Sequence, residues 1–438
     1  MSLRFIIGGS GSGKTRRLYD ELIRDAAAHP EKQYFAIVPE QFTMQTQKDI
    51  VDLHPNHGVM NIDIVSFERL AYRIFEELAV PALSVLDDMG KAMVIRRTAA
   101  KEDLILFGRQ LDKPGFVEEL KSQLSEFLQY GITEEKLVAM AEGEKSPMLR
   151  AKLSDMLTIL RGFRAYTEQE GFIAREELLE RLCRVLPNSR MVRGSVITLD
   201  GFTGFTPVQY HLLEILLGMA EQVTVTVTMD PEENPYRRGE EQELFCLSRE
   251  TVCRLVDLSS LSGTGRGEDV LLSWRPYHRF KDCPELQFAE KELFRHRGNA
   301  YAADAASPKN GNGITFVRTA SPAEEVSVIA AEVNRLVKSR GLRYRDIAVI
   351  TGDLSVYRGE FAHQFEAGQI PYFIDSKKSI LENPATDLVR SALDVMEKDF
   401  SYEAVFRYLK SGFVLSDAEG LYLLENYVIA LGIRGYRR

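Results

Sequence analysis

The chain has 438 residues, of which 45% are hydrophobic and 27% are charged, and its formal net charge is −9. This composition excludes a disordered or fibrous protein, and the length predicts two or three domains. The negative charge excludes a generally basic surface for nucleic acid but is compatible with a local basic channel. Because no apolar run reaches membrane-spanning length and no signal-peptide pattern precedes the first apolar run, we predict a cytoplasmic protein with no membrane partner.

The first candidate site is a glycine-rich stretch between the apolar run 3–7 and a helical segment at 16–28. Its residues are Gly8, Gly9, Ser10, Gly11, Ser12, Gly13, Lys14 and Thr15. They match the P-loop pattern G-x-x-x-x-G-K-[ST], in which backbone N–H groups and a helix N-terminus surround a phosphate. We therefore predict ATP binding, with Lys14 on the β- and γ-phosphates and Thr15 on Mg²⁺. The alternative, a flexible turn with a chance lysine, does not explain the buried-type strand that leads directly into it.

Two further strand patterns, at 34–38 and 62–65, alternate with helical segments and predict a parallel sheet. Ligands gather at the carboxyl ends of such strands, and four residues there are predicted to contact DNA: Gln41, Thr43, Ser66 and Phe67. The polar side chains would touch the phosphate backbone, and the aromatic ring would stack on a base. The alternative is ordinary helix capping by Ser66 with Phe67 in the core, and without the neighbouring P-loop that alternative would be preferred.

Residues 81–185 lose the strand pattern and show apolar residues at helical spacing, which predicts a helical domain inserted into the α/β domain. The α/β pattern resumes in an apolar run that ends in Asp200, as in a Walker B strand whose carboxylate orders the Mg²⁺ that Thr15 also contacts. Gly201 follows, where motor ATPases place a glutamate that activates water. We therefore predict little or no ATP hydrolysis.

The order of these pieces resembles the superfamily-one helicases. Three runs are similar to one branch of them, the AddB family: FAIVPEQFT at 35–43, DGFTGFTP at 200–207 and IPYFID at 370–375. This resemblance extends over the whole chain, and it implies a component of a bacterial helicase–exonuclease that repairs double-strand breaks by homologous recombination. It also implies an AddA-type motor subunit as partner in a heterodimer and a part in recognising the Chi sequence of DNA.

The resemblance places the nuclease carboxylates and the cysteines of an iron–sulfur cluster beyond residue 438. The four cysteines of this chain form no C-x-x-C pair and are predicted to be reduced thiols: Cys183, Cys246, Cys253 and Cys283. Neither nuclease activity nor the cluster is therefore expected within these residues, and we predict no catalytic residue here.

The remaining chain predicts an irregular connector at 241–312 and the start of a second RecA-like domain at 313–438. The first P-loop domain would then comprise 1–80 plus 186–240. Aromatic and cationic residues at 274–279 suit a platform for single-stranded DNA, although a partly packed connector is favoured on sequence alone. Strands are predicted at 314–317, 346–350 and 371–374.

The leading hypothesis is a helicase-like subunit that binds ATP–Mg²⁺ and DNA without driving unwinding. A second hypothesis is an autonomous P-loop DNA-dependent ATPase or translocase whose water-activating residue lies elsewhere. A third is a structural module that keeps the glycine loop only as a feature of its fold.

Overall fold

A computed structural model describes residues 2–58, 61–81, 84–113, 115–274, 278–295, 298–301, 313–375, 380–433 and 435. The chain divides into two compact units, Met1–Thr315 and Phe316–Arg438. The strands are β1 (Ser2–Gly8), β2 (Tyr34–Ile37), β3 (Ile62–Val65), β4 (Ser84–Leu86), β5 (Phe172–Ala174), β6 (Val196–Leu199), β7 (Gln222–Thr228), β8 (Gly265–Arg266) and β9 (Val270–Leu272).

The helices of the first unit are α1 (Lys14–Ala28), α2 (Thr43–Leu53), α3 (Phe67–Glu77), α4 (Asp88–Ala99), α5 (Phe116–Gln129), α6 (Glu134–Gly143), α7 (Pro147–Glu170), α8 (Leu178–Val185), α9 (Pro207–Leu217), α10 (Cys246–Leu261) and α11 (Pro284–Glu292). Those of the second unit are α12 (Pro322–Arg340), α13 (Leu354–Ala367), α14 (Pro384–Glu397), α15 (Tyr402–Leu409) and α16 (Ala418–Leu431).

Seven strands form one parallel sheet, which confirms the predicted α/β class. The strand order is β3-β2-β6-β7-β1, and β8 and β9 both pair with the outer edge of β1. β7 runs beside β1 along its whole length, from the pair Ser2 and Gln222 to the pair Gly8 and Thr228. The glycine loop after β1 and the aspartate after β6 therefore follow strands that are separated by β7 alone, at the carboxyl edge of the sheet.

The sheet has a hydrophobic core on each face because successive side chains of a strand point to opposite sides. Leu3, Phe5 and Ile7 of β1 pack in one cluster, to which α3, α8, α9 and α10 contribute. Ile6 packs in the other cluster, together with the apolar face of α1 and with Ile50 of α2. Helices on both faces fix β1 and α1, and hence the loop between them.

The helical insertion has its own core, formed by α4, α5, α6 and α7. Its entry and exit strands, β4 and β5, pair in parallel from Ser84 with Phe172 to Leu86 with Ala174. Asp155 of α7 is almost fully buried and holds the loop before α5: its carboxylate accepts the N–H groups of Ile105, Leu106 and Phe107 at 2.7, 2.7 and 3.0 Å.

The stretch 241–301, part of the predicted connector, packs onto the sheet where it is described. α10 contributes Val252 and Leu255 to the core, and β8 and β9 extend the sheet beyond β1. Residues 275–277 of the predicted aromatic platform, and residues 302–312, lie outside the described residues.

The second unit has a small core in which α12 and α13 pack through Val326, Val333, Phe361 and Phe365. The strands predicted at 314–317, 346–350 and 371–374 are not formed among the described residues, so that prediction is wrong. An extended segment becomes a strand only when its N–H and C=O groups pair with a neighbouring strand, and none of these three has such a partner in the described residues.

Candidate nucleotide-binding site

The loop between β1 and α1 bends through two glycines with positive φ, Gly11 at +70° and Gly13 at +92°. Only glycine adopts these angles without strain, so the pattern of glycines is what lets the chain turn directly from the strand into the helix. No side chain caps the N-terminus of α1, and its first turn holds no acidic residue. The first N–H groups of the helix therefore suit an external anion, which the helix dipole also favours.

Lys14, the first residue of α1, folds back onto the loop. Its Nζ donates hydrogen bonds to the carbonyl oxygens of Gly8 and Gly9, at 3.0 and 2.8 Å. Burial lowers the pKa of the ammonium to about 8, while the nearby carboxylates of Asp200 and Glu290 act in the opposite direction. A further anion beside Lys14 would favour its charged form, and this is the role that phosphate plays at a P-loop lysine.

Asp200 stands at the end of β6 with both carboxylate oxygens engaged. Thr226 of β7 donates to Oδ1 at 2.5 Å, and the hydroxyl of Tyr19 from α1 donates to Oδ2 at 3.2 Å. Burial is the main reason that the pKa of Tyr19 is raised, so the phenol stays protonated and keeps donating. Gly201 follows with φ +79°, an angle that a glutamate would adopt only with strain.

Lys14, Thr15 and Asp200 line one cavity of about 740 Å³. Thr15 is exposed to it at the start of α1, and Ser10, Gly11 and Gly13 complete the loop side. Among the described residues, no group of three or more histidine, cysteine, aspartate or glutamate side chains is placed to hold a metal ion. Mg²⁺ needs no such group, because it commonly binds one or two protein oxygens together with substrate phosphates.

Ser12 provides a direct test of whether this loop fits a phosphate. Its side chain is 8% exposed, and its Oγ has no hydrogen-bond partner among the described residues. A buried hydroxyl without a partner is costly, and a phosphate oxygen in the loop is a partner of the right kind. Together with the uncapped helix and the lysine, this orphaned hydroxyl means that the residues present fit a nucleoside triphosphate.

The four residues predicted to contact DNA do not form one surface. Gln41 is exposed after β2, whereas Thr43 is buried with its hydroxyl donating to the carbonyl of Glu40 at 2.9 Å. Ser66 caps α3 by accepting the N–H of Arg69 at 3.3 Å, and its hydroxyl lowers the pKa of Glu40.

Phe67, the fourth of these residues, lies in the core of the sheet. It is 5% exposed, and its ring centroid lies 5.3 Å from that of Phe202 and 6.2 Å from that of Phe205. The packing and capping alternative therefore describes Ser66 and Phe67 as they are placed here. DNA contact by these four residues stays a prediction, and Gln41 has the most accessible side chain for it.

Sequence reasoning missed Tyr19 and Thr226, which hold Asp200. A signal for Tyr19 was present, since it lies one helical turn after Thr15 on α1 and so faces the same side. Thr226 belongs to the alternating run of β7, QVTVTVT, and its position beside Asp200 depends on the register of two strands. That register is visible only in the folded sheet.

The family model described as "ADDB, N-terminal" matches residues 5–290. The chain belongs to the AddB family. It is 42% identical over 446 residues to the B subunit of the ATP-dependent helicase/deoxyribonuclease from Lachnoclostridium phytofermentans, covering 100% of this chain and 38% of that protein. The proteins of the same name from Clostridium novyi and Moorella thermoacetica are 34% and 36% identical, again over 100% of this chain and 38% of theirs.

The chain thus spans 38% of the length of these AddB relatives. The relatives are named as B subunits of an ATP-dependent helicase/deoxyribonuclease, and their family is the one that the resemblance indicated. Among the described helices, none combines the length and apolar character needed to cross a membrane.

Proposed function

We propose that this chain is the part of an AddB protein that binds ATP–Mg²⁺ and engages DNA without acting as the motor. The observation that carries the proposal is the convergence of Lys14, Thr15 and Asp200 on one cavity at the carboxyl edge of a parallel sheet. The loop N–H groups and Lys14 would hold the phosphates, and Thr15 and Asp200 would hold Mg²⁺. When bound, the metal supplies positive charge that neutralises the phosphate oxygens.

The site has the parts for binding, but no group that could activate water follows Asp200 directly. Gly201 occupies the position after Asp200, and Tyr19 and Thr226 already engage both oxygens of that aspartate. General-base catalysis contributes about 10²–10⁴-fold to a rate, so its loss leaves a site that hydrolyses bound ATP far more slowly than a motor does. Retained ATP suits a protein that senses nucleotide or is stabilised by it.

At the level of the whole complex, we propose an AddA-type motor subunit as partner and double-strand break processing for homologous recombination as the process. Chi recognition would involve this chain. Nuclease chemistry and the iron–sulfur cluster are assigned to sequence outside these 438 residues. The names of the relatives, which are helicase/deoxyribonuclease B subunits, support a part in a helicase–nuclease complex.

Isothermal titration calorimetry with ATP and Mg²⁺ tests the nucleotide site. We expect saturable binding by the chain, its loss in Lys14→Ala, and no change in Lys48→Ala, which removes an exposed lysine of α2. ATP turnover measured with and without DNA should stay near background. DNA-stimulated turnover that Lys14→Ala abolishes would instead favour the hypothesis of an autonomous ATPase. Absence of any nucleotide binding would favour the hypothesis of a structural module.

DNA engagement is tested by the dependence of affinity on salt. Neutralising several phosphates releases counterions, so affinity for a DNA duplex with a single-stranded end should fall steeply between about 50 and 200 mM salt. An affinity that is flat over this range would remove the proposed DNA contact. Gln41→Ala should weaken binding, and Gln45→Ala on the exposed side of α2 is its matched control.

A further inference from the structure

One segment that the proposed function does not use lies directly over the glycine loop. We call it the strap and define it as Trp274 together with residues 278–295, which include α11. A Cβ atom on Gly9 would lie 2.7 Å from Cη2 of Trp274, and one on Gly11 would lie 2.7 Å from the Cβ of Arg279. The glycines of the loop thus provide room for the strap as well as for a phosphate.

The strap places a carboxylate on an N–H group of the loop. Oε1 of Glu290, on α11, accepts a hydrogen bond from the backbone N–H of Ser10 at 2.7 Å. The same carboxylate is close enough to Lys14 to favour its charged form. A carboxylate of the protein itself therefore accepts a loop N–H group of the kind that, in a P-loop, ordinarily donates to a phosphate oxygen.

The strap also brings a cation to the cavity. The backbone N–H of Arg279 donates to the carbonyl of Gly11 at 3.3 Å, and its side chain lines the cavity with Lys14 and Thr15. Its positive charge acts to lower the pKa of Lys14, so the two cations lie close enough to contact the same anion. The guanidinium forms no ion pair with another described residue, which leaves its donors available for phosphate oxygens.

The far end of the strap is anchored independently of Glu290. Nε of Arg295 donates to Oδ2 of Asp230, just after β7, at 3.1 Å, and both side chains are nearly fully buried. The guanidinium of Arg295 also lies 5.5 Å from the ring centroid of Trp274. The indole Nε1 of Trp274 is buried and has no hydrogen-bond partner among the described residues. The strap is thus fixed beside the loop. The indole N–H of Trp274 is, after the Ser12 hydroxyl, a second buried donor at this place without an acceptor among the described residues.

We propose that the strap is the second wall of the nucleotide site, with Arg279 as a phosphate-binding residue and Glu290 as a built-in anion that the nucleotide displaces. This inference rests on the proposed binding of ATP at Lys14. Arg279 raises the affinity for a triphosphate, and Glu290 lowers it by competing for Ser10 and by repelling phosphate. The strap therefore sets the threshold concentration at which the loop takes up nucleotide.

The test measures the dissociation constant of ATP–Mg²⁺ by calorimetry and follows the emission of Trp274, the single tryptophan of the chain. Glu290→Gln should bind about tenfold more tightly and Arg279→Ala about tenfold more weakly, the range of one hydrogen bond to a charged group. Glu285→Gln and Lys281→Ala are matched controls that should stay within about twofold, because these two charged side chains neither line the cavity nor bond to the glycine loop. ATP should shift the emission of Trp274 in the wild type but not in Lys14→Ala.

The outcomes separate this inference from the proposed function. If the wild type binds ATP through Lys14 but the dissociation constants of Glu290→Gln and Arg279→Ala stay within twofold of the wild-type value, the strap proposal is overturned and the nucleotide site stands. If the wild type shows no binding while Glu290→Gln binds, the carboxylate blocks the loop and the strap proposal is supported. If neither binds, both proposals fail. Circular dichroism and the thermal midpoint establish that each variant is folded.

Discussion

Tyr19 and Asp200 are joined by a hydrogen bond of 3.2 Å that links the helix after the glycine loop to the end of β6. Thr226 holds the other carboxylate oxygen from β7, so α1, β6 and β7 all contribute to one oriented carboxylate. The hydroxyls are neutral donors, and they fix the direction of the negative charge without cancelling it. The proposed metal ligand is thus positioned by residues that need not touch the metal.

The first prediction is that removing either hydroxyl weakens Mg²⁺-dependent nucleotide binding. Partners that orient a metal ligand typically account for about 10–100-fold in metal affinity, so Tyr19→Phe and Thr226→Val should each raise the Mg²⁺ concentration for half-saturation by about tenfold. Titration of Mg²⁺ at fixed ATP measures this. Tyr34→Phe is the matched control, because it removes a tyrosine hydroxyl that donates to Asp25 at 3.0 Å, away from the site. Equal curves for Tyr19→Phe and Tyr34→Phe would refute the orienting role.

The second prediction concerns the contact between Gly9 and Trp274. A methyl group at position 9 would overlap the indole ring, so Gly9→Ala should cost roughly 1–3 kcal/mol of stability. In a Trp274→Ala background most of this cost should disappear, because the two residues share one contact. Urea unfolding of the four proteins measures the coupling. Gly143→Ala is the control, since a Cβ at that position of α6 meets nothing within 4 Å.

The third prediction is that Asp155 is a major stabilising residue of the helical insertion. Asp155→Ala leaves the N–H groups of Ile105, Leu106 and Phe107 without their acceptor and should cost roughly 3 kcal/mol. Asp112→Ala removes a side chain that is 93% exposed and should change the unfolding free energy by less than about 0.5 kcal/mol. Urea denaturation followed by circular dichroism compares them. A loss for Asp155→Ala no greater than that of the control would contradict the prediction.

The fourth prediction follows from the burial of Cys183 against the sheet. Burial raises the pKa of this thiol to about 11, so at pH 8 it is protonated and slow to alkylate. Iodoacetamide should label it about a hundredfold more slowly than a thiol of ordinary pKa, and the rate should rise as the pH approaches 11. Peptide mass spectrometry measures labelling at each cysteine, with the half-buried Cys246 as internal comparison. Equal rates at pH 8 would show that this part of the core opens readily.

The glycine loop and its flanking elements could be predicted because the signal is local. Eight consecutive residues specify the turn, and the apolar run before them and the helical period after them specify β1 and α1. The placement of Asp200 on the same edge followed from the parallel sheet, since all parallel strands end on one side. The alternation of strands and helices carried this part of the prediction.

What the sequence could not reveal depends on contacts between distant residues. Ser10 and Glu290 are 280 positions apart, and no local pattern predicts that the second would cover the first. The same applies to the apolar segments around Ile350 and Phe373, which have the composition of strands but lack a pairing partner in the described residues. For Ser66 and Phe67, local patterns allowed both a surface and a core position, and only packing distinguishes the two.

The pairing of β4 with β5 makes the helical insertion separable from the rest of the first unit. Because Ser84 and Phe172 are neighbours in one strand pair, the chain enters and leaves the four helices between them at adjacent positions. A linker of a few glycine and serine residues is enough to join these two positions directly. The helical insertion can therefore be deleted, or replaced by the corresponding helices of another AddB protein, while the seven-stranded sheet keeps its own strand pairing.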